Sequence, residues 1–196
     1  MSSTLVMIDN YDSFTYNLVH YLEIFWDGEL LVMKNNKINW NLLKSASGII
    51  LSPGPGLPDE SGSLMEVIDK FMHNKPMLGV CLGQQAMAQA TGARLKNLSQ
   101  VYHGISTFIK ICDHSHPLFM NLPDKVEVGR YHSWVVEKES LNADWIISAF
   151  DENEEVMAIR HKTYPACAVQ FHPESVLTPT GKRMIQHWIK SLKSST

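Results

Sequence analysis

The sequence predicts an α/β fold in which a mostly parallel open sheet is flanked by helices and carries antiparallel additions. Two observations carry that prediction. Through the first half, the apolar runs at residues 5–8, 30–33, 48–51 and 76–80 alternate with helical patterns, which is the arrangement of βαβ units. From residue 105 to 161 the character changes to short alternating runs at 105–111, 126–128 and 156–159, with Trp145-Ile146-Ile147 as a further candidate, and such strands suit antiparallel pairing.

Taken in order, Phe14, Leu18, Leu22 and Phe25 recur at helical spacing after the first strand, with Asp12 or Ser13 as N-cap and Gly28 just past the end. A second helix is expected from Ser63, because Ser63 and Glu66 have capping-box spacing. The run before Val80 leads through Gly79-Val80-Cys81-Leu82-Gly83 into a helical segment at 84–90. Residues 166–171 read as a buried strand. Beyond it, Met184, Ile185, Trp188, Ile189 and Leu192 make one apolar helical face, that of a packing helix. The long Pro/Gly-rich interval is residues 52–62. No repeat, linker or low-complexity segment divides the chain, so a single domain over residues 1–196 is expected.

Three segments carry chemistry. A strand that turns sharply into a helix forces its turn residue into a strained backbone, and Gly79 and Gly83 leave room on either side. The helix that follows aims free amides and its positive end at Cys81, favouring thiolate, the form that attacks carbonyl carbon. Alone, that pattern also describes a buried cysteine in a loose turn. The segment His172-Pro173-Glu174 decides between them. Pro173 stops the preceding strand and biases His172 to extended backbone, where residues two apart face the same way. His172 and Glu174 therefore leave the strand end together, with the carboxylate orienting the imidazole. Open α/β sheets gather reactive groups at the carboxyl ends of their strands, so Cys81 and His172 are expected to converge for nucleophilic acyl transfer. The third segment, Ser52-Pro53-Gly54-Pro55-Gly56-Leu57-Pro58, is stiffened by proline and opened by glycine. It suits an oxyanion site whose donors are the amides of Gly56 and Leu82, and loss of one such donor costs about 3 kcal/mol in barrier.

With these segments, the chain resembles the class I glutamine amidotransferases on Pro53-Gly54-Pro55-Gly56, Gly79-Val80-Cys81-Leu82-Gly83-Gln84-Gln85 and Phe171-His172-Pro173-Glu174-Ser175. Within that family, Ile8-Asp9-Asn10-Tyr11-Asp12-Ser13-Phe14-Thr15-Tyr16-Asn17 looks like the opening of the small subunit of anthranilate synthase and aminodeoxychorismate synthase. His103-Gly104 and Tyr131-His132-Ser133 look like later landmarks of the same subunits. The resemblance implies a flavodoxin-like fold and a catalytic triad of Cys81, His172 and Glu174. It also implies that glutamine is held by Gly54, Pro55 and Gly56, by the Gln85 side chain, and by the backbone of Ser133 and Trp134, with Leu82 at the oxyanion. Gln84 stands where histidine is common, Trp134 where leucine is common, and Thr91-Gly92-Ala93 where a double glycine is common. None of these removes a triad member, and the bulk of Trp134 is expected to narrow the glutamine pocket or alter the partner surface.

Bulk properties exclude other classes. The 196 residues are 44% hydrophobic and 19% charged, ordinary for a globular protein. A net charge of -3 without a lysine or arginine run gives nucleic acid no electrostatic footprint. The apolar stretch before Asp9 is too short for a signal region and no stretch is long enough to span a membrane, so a cytosolic protein is expected. Three cysteines without paired spacing fit a reducing compartment, with Cys112 and Cys167 structural. His114 and His116 flank a serine beside Pro117 without zinc spacing, and are expected in a solvated turn with no metal. Leu57-Pro58 after Gly56 breaks the phosphate-loop pattern, no dinucleotide fingerprint follows the first strand, and no cofactor is implied.

The leading expectation is a glutaminase that forms a γ-glutamyl thioester on Cys81. It would deliver ammonia to the large subunit of anthranilate or aminodeoxychorismate synthase, since nothing in the sequence serves the acceptor chemistry. A stand-alone Cys-His-Glu γ-glutamyl hydrolase is the alternative, opposed by the match at residues 9–17. A non-catalytic scaffold is opposed by the intact triad.

Overall fold

Leu5 and Met7 of the first strand enter one buried cluster, while Val6 and Ile8 enter another on the opposite face. A strand apolar on both faces has to be covered on both, which places helices on each side of the sheet. In the computed structural model, which describes residues 3–193, the chain order is β1 (Thr4–Asp9), α1 (Thr15–Phe25), β2 (Glu29–Lys34), α2 (Trp40–Ser45), β3 (Gly48–Leu51), α3 (Leu64–Phe71), β4 (Met77–Val80), α4 (Leu82–Ala90), β5 (Leu95–Asn97), β6 (Ile105–Ile111), β7 (Lys125–Arg130), β8 (Trp134–Val136), β9 (Trp145–Asp151), β10 (Val156–His161), β11 (Ala166–Val169) and α5 (Gly181–Lys193). Residues of α1 and α5 pack on the Leu5/Met7 side, and those of α2, α3 and α4 on the other.

Among the described residues the main sheet runs β2-β1-β3-β4-β11-β10-β9-β6-β7. Its first five strands are mutually parallel, and from β11 onward every pairing is antiparallel. The chain leaves β1 for β2 on one side and then returns to β3 on the other, which opens a crevice beyond the carboxyl ends of β1 and β3. Parallel register sets the site: Val80 stands beside Val169, and the Cys81 amide donates to the Val169 carbonyl at 2.8 Å. The residues after β4 and after β11 are thereby delivered side by side. No helix among the described residues is long and apolar enough to cross a membrane.

Several local expectations need correction. The first helix begins one turn position later than its expected caps: Phe14 occupies the cap position, and the Asp12 carboxylate accepts from the Phe14 amide at 2.7 Å instead of capping the helix. Ser63 does precede α3, but its side chain forms no capping bond: Glu66 pairs forward with Lys70 instead of reaching back, and the Leu64 amide donates to the Ser61 carbonyl, just past a 3-10 turn at Pro58–Glu60. Helix α2 was not anticipated, although Asn39 caps it through the amides of Asn41 and Leu42. The last parallel strand ends at Val169, two residues short of the expected Phe171. A small ribbon of β5 with β8 carries Trp134 opposite Asn97 and had no clear sequence signal.

Candidate active site

Cys81 sits between β4 and α4 with φ 53° and ψ −103°, a conformation that side-chain-bearing residues adopt only under strain. The neighbouring glycines make the turn possible by close approach. A Cβ on Gly79 would lie 2.7 Å from the Gly83 backbone and from the Met87 sulfur, and one on Gly83 would lie 2.6 Å from the Leu51 carbonyl oxygen. Packing of α4 directly on the strands therefore demands both, as the sequence pattern implied.

His172 is fixed through its backbone. Its amide donates to the Gly129 carbonyl at 3.0 Å, and its carbonyl accepts from the Thr178 hydroxyl at 2.6 Å and the Ser175 amide at 3.2 Å. Nδ1 meets Glu174 Oε1 at 2.7 Å, both side chains being buried. The carboxylate is acceptor-only, so Nδ1 carries the proton in the neutral ring and Nε2 is the basic nitrogen. Nε2 is buried and has no geometric hydrogen bond to a protein group. The ring packs against Tyr131 at 4.8 Å and the edge of Phe14 at 5.5 Å, two rings that also touch each other at 4.8 Å. Burial opposes charging of the ring, but the Glu174 carboxylate and the adjacent Cys81 sulfur outweigh it and hold the pKa well above the ordinary value.

A cavity of about 280 Å³ opens beside the sulfur, lined by Gly54, Pro55, Gly56, Leu57, Cys81, Gln85, Tyr131, His132, Ser133 and Trp134. It gathers most of the residues expected to hold glutamine, while Leu82, His172 and Glu174 stand outside its wall. Leu82 nonetheless bounds the loop, since a Cβ on Gly54 would lie 2.6 Å from its side chain and 2.5 Å from the Asn10 Cβ. Gly56 has φ 75°, which its missing side chain permits. Among the described residues, the amides of Gly56 and Leu82 donate to no protein acceptor. The loop is anchored by Asn10, whose amide donates to Ser52 Oγ and whose side chain donates to the Ser52 carbonyl, both at 2.9 Å. A larger groove of about 630 Å³ lies over β6 and β7, with neither a cysteine nor a histidine in its wall.

Polar groups continue behind the cavity. Gln85 Nε2 donates to the Trp134 carbonyl at 2.8 Å and to Gln170 Oε1 at 3.2 Å, and Gln170 Nε2 approaches Cys81 Sγ at 3.5 Å. His132 meets the same Trp134 carbonyl through Nδ1 at 3.1 Å and accepts from Arg130 Nε at 3.2 Å through Nε2. Arg130, itself buried, is paired with Asp151 at 2.7 Å. Burial, then the Arg130 charge and His172, push the His132 pKa down to about 3, so this ring is neutral in the working range.

A buried cysteine, histidine and glutamate at adjoining strand ends, with free backbone amides and a small polar cavity, are equipped for acyl transfer from an amide. Comparison with known proteins identifies the family. Residues 6–192 match the model of glutamine amidotransferase class-I. The chain belongs to the class-I glutamine amidotransferases. It is 39% identical over 191 residues to the aminodeoxychorismate/anthranilate synthase component 2 of Bacillus subtilis, covering 96% of this chain and 97% of that protein. It is also 39% identical over 188 residues to the bifunctional protein TrpGD of Thermotoga maritima, of which it spans 32% while 94% of this chain is covered. Among solved structures, a protein assigned as a GMP synthase subunit from Thermoplasma acidophilum superposes with a TM-score of 0.87 at 26% identity, covering 100% of this chain and 96% of that one.

In this amidotransferase Gln84 points away from the cavity: it is fully buried and its nitrogen lies 3.4 Å from the Val156 carbonyl oxygen, so the departure from histidine leaves the pocket untouched. The expected solvated turn at His114 and His116 holds for His114 alone, which pairs with Asp124. His116 is 0% exposed, stacked on Phe119 at 4.5 Å, and burial lowers its pKa to about 4, because the turn at Asp113 tucks the ring under the apolar Leu118-Phe119 pair. Cys167 is buried, but Cys112 is exposed just past the end of β6. Gln170, Arg130 and Asp151 carried no signal of their own, although Gln170 lay inside the segment that revealed His172.

Proposed function

We propose that this amidotransferase is the glutaminase subunit of a chorismate-using synthase, hydrolysing glutamine to glutamate and ammonia and passing the ammonia to a large subunit. The observation that carries the chemistry is the His172 ring: Glu174 holds Nδ1, and the buried Nε2 is left beside the Cys81 sulfur. In the proposed cycle Nε2 takes the thiol proton, and sulfur attacks the side-chain carbonyl carbon of glutamine. The oxyanion meets the amides of Gly56 and Leu82. The imidazolium returns its proton to the departing nitrogen, releasing ammonia and leaving a thioester. Water, deprotonated by the same nitrogen, then frees glutamate. Glutamine would lie in the cavity along Gly54, Pro55 and Gly56, against Ser133 and Trp134. Both N–H groups of Gln85 are engaged within the protein, so Gln85 offers glutamine only its carbonyl oxygen, which suits the substrate's α-ammonium group.

The partner side of the proposal rests on the rim of the site and on the names of the relatives. Tyr11 is 51% exposed, Tyr16 64% and Val176 90%, and all three neighbour residues that build the site: Asn10, Phe14 and Glu174. Large apolar groups left exposed beside residues of the site suit a docking surface. Asn10 ties that surface to the Ser52 end of the oxyanion loop, so a large subunit seated on Tyr11 would bear on the Gly56 amide. Both anthranilate and 4-amino-4-deoxychorismate formation fit, because the glutaminase supplies ammonia in either case and the partner chooses the acceptor. We place this single domain in the cytosol, in keeping with its three free cysteines.

Cys81→Ser tests the reading in the complex with an anthranilate or aminodeoxychorismate synthase large subunit. Glutamine-dependent synthesis should vanish while synthesis from ammonium salts persists. Loss of both would make Cys81 structural. Full glutaminase activity of the isolated chain, unchanged by the synthase, would instead indicate a stand-alone γ-glutamyl hydrolase.

A further inference from the structure

We propose that Gln170 is a further catalytic residue, whose carboxamide N–H donates to the Cys81 sulfur and supports the negative charge that forms there during the cycle, in an orientation imposed by Gln85 and the Trp134 carbonyl. The proposal rests on the glutaminase reading for its place in the cycle, but its structural basis is independent of substrate.

The two ends of a carboxamide look alike in outline, and their assignment is settled by the groups they face. Here the chain of assignments starts from a group that cannot turn round, the backbone carbonyl of Trp134. An oxygen of Gln85 at 2.8 Å from that carbonyl would repel it, so the Gln85 atom there is nitrogen. The same nitrogen faces Gln170 at 3.2 Å, and a donor requires an acceptor opposite, so that atom of Gln170 is Oε1. Nε2 of Gln170 must then be the atom directed at Cys81 Sγ, 3.5 Å away. Gln170 is fully buried, which prevents water from competing for this bond. The carbonyl itself is steadied from behind. Arg130 Nε can only donate, so His132 Nε2 accepts, and its Nδ1 proton is left for the Trp134 carbonyl. Asp151 fixes Arg130 in turn. His132 and Arg130 are positioning residues in this scheme.

The bond has two uses in the cycle. It favours thiolate when the thiol proton passes to His172, since a hydrogen bond to a charged acceptor is stronger than one to a neutral acceptor. When water breaks the thioester, the electron pair returns to sulfur and the same N–H receives the departing thiolate. No proton leaves Gln170 at either step.

The test compares Gln170→Glu, which keeps the shape but offers the sulfur a carboxylate, with Gln170→Met, which keeps the volume without donor or charge. Both are made in a Cys112→Ser background, because Cys112 is exposed and would also react. Alkylation of Cys81 by iodoacetamide at pH 7, read by peptide mapping, should slow roughly tenfold in Gln170→Glu and less in Gln170→Met. The kcat for glutamine should fall in parallel while KM stays within about twofold. Gln85→Met, which frees the carboxamide to turn, should slow alkylation in smaller measure and decides the matter should residue 170 tolerate no change. Unchanged alkylation in all three variants would overturn the proposal, as would a fall in kcat without slower alkylation. Absence of glutamine turnover by the unaltered protein with its synthase would instead count against the glutaminase reading, because the alkylation comparison needs no substrate.

Discussion

Two buried histidines stand at the same site and are driven in opposite directions. His172 has a carboxylate at 2.7 Å and is held well above the ordinary pKa, whereas His132 has a guanidinium nitrogen at 3.2 Å and is pushed down to about 3. Burial is similar for the two and disfavours the charged form of both. The sign of the nearest charge therefore decides which ring can carry a proton through a reaction and which is a fixed neutral link. Placing a neutral ring next to the one that charges also keeps a second positive charge away from the developing imidazolium.

The comparison breaks first if the two rings prove interchangeable in rate. His172→Ala should lower kcat for glutamine by about 10³-fold or more, the upper range for loss of a general base, while His132→Gln should cost less than tenfold. Stopped assays of glutamate release on both variants check this. Glu174→Gln should come next, at roughly 10²-fold, since it removes the charge that supports the imidazolium and leaves the shape. His172 then loses its proton at lower pH, so the acidic limb of the activity profile, below which the ring cannot take the thiol proton, should move down. Combining it with His172→Ala should add little, because triad members act as a unit.

A sharper form of the comparison is in stability. The unfolded chain protonates His132 near its ordinary value of about 6.5, while the folded chain resists until about 3, so in that window unfolding takes up a proton and stability falls as pH drops, by up to about 1.4 kcal/mol per pH unit. His172 has the opposite sign: its raised pKa contributes stability that is complete below about 6.5 and is lost as pH rises through the folded value. In His132→Gln, the loss of unfolding free energy between pH 6.5 and 5 should shrink by about 2 kcal/mol, measured by denaturant titration. The smallest effect is expected at Trp134→Leu. Position 134 serves the network through its carbonyl, and the half-buried residue borders both the cavity and a neighbouring hollow, which leaves room for a smaller side chain, so KM for glutamine should change by less than about threefold.

What the sequence revealed and what it hid follow from the range of the causes. Cys81 was legible because the elbow is local: a strand, a turn and a helix within a few residues dictate the flanking glycines. His172 and Glu174 were legible for the same reason, with Pro173 fixing the backbone between them. The central strands were legible because burial on both faces leaves unbroken apolar runs. Gln170 was hidden because its significance lies in Cys81, 89 residues away, and Arg130 because its partner Asp151 joins it only through the antiparallel part of the sheet. His116 was misread since a histidine beside proline resembles a surface turn until Phe119 is packed over it. The capping box at Ser63 failed because Glu66, which would have to reach back to the cap, pairs forward with Lys70.

The hydrogen bond from the His172 amide to Gly129 joins the end of a central strand to the outermost strand of the sheet, β7, with β10, β9 and β6 between them in sheet order. This tie, reinforced by the Gly129 amide donating to the Thr178 hydroxyl, has a consequence for how the protein comes into being. The histidine is locked only when the antiparallel half has closed round to meet the parallel half, and contacts so distant in sequence form late. A chain caught part-way, on the ribosome or in a stalled fold, would hold its cysteine without a working base. Partly built molecules should then be inert toward glutamine, and the amino acid is spared from breakdown until the whole sheet is in place.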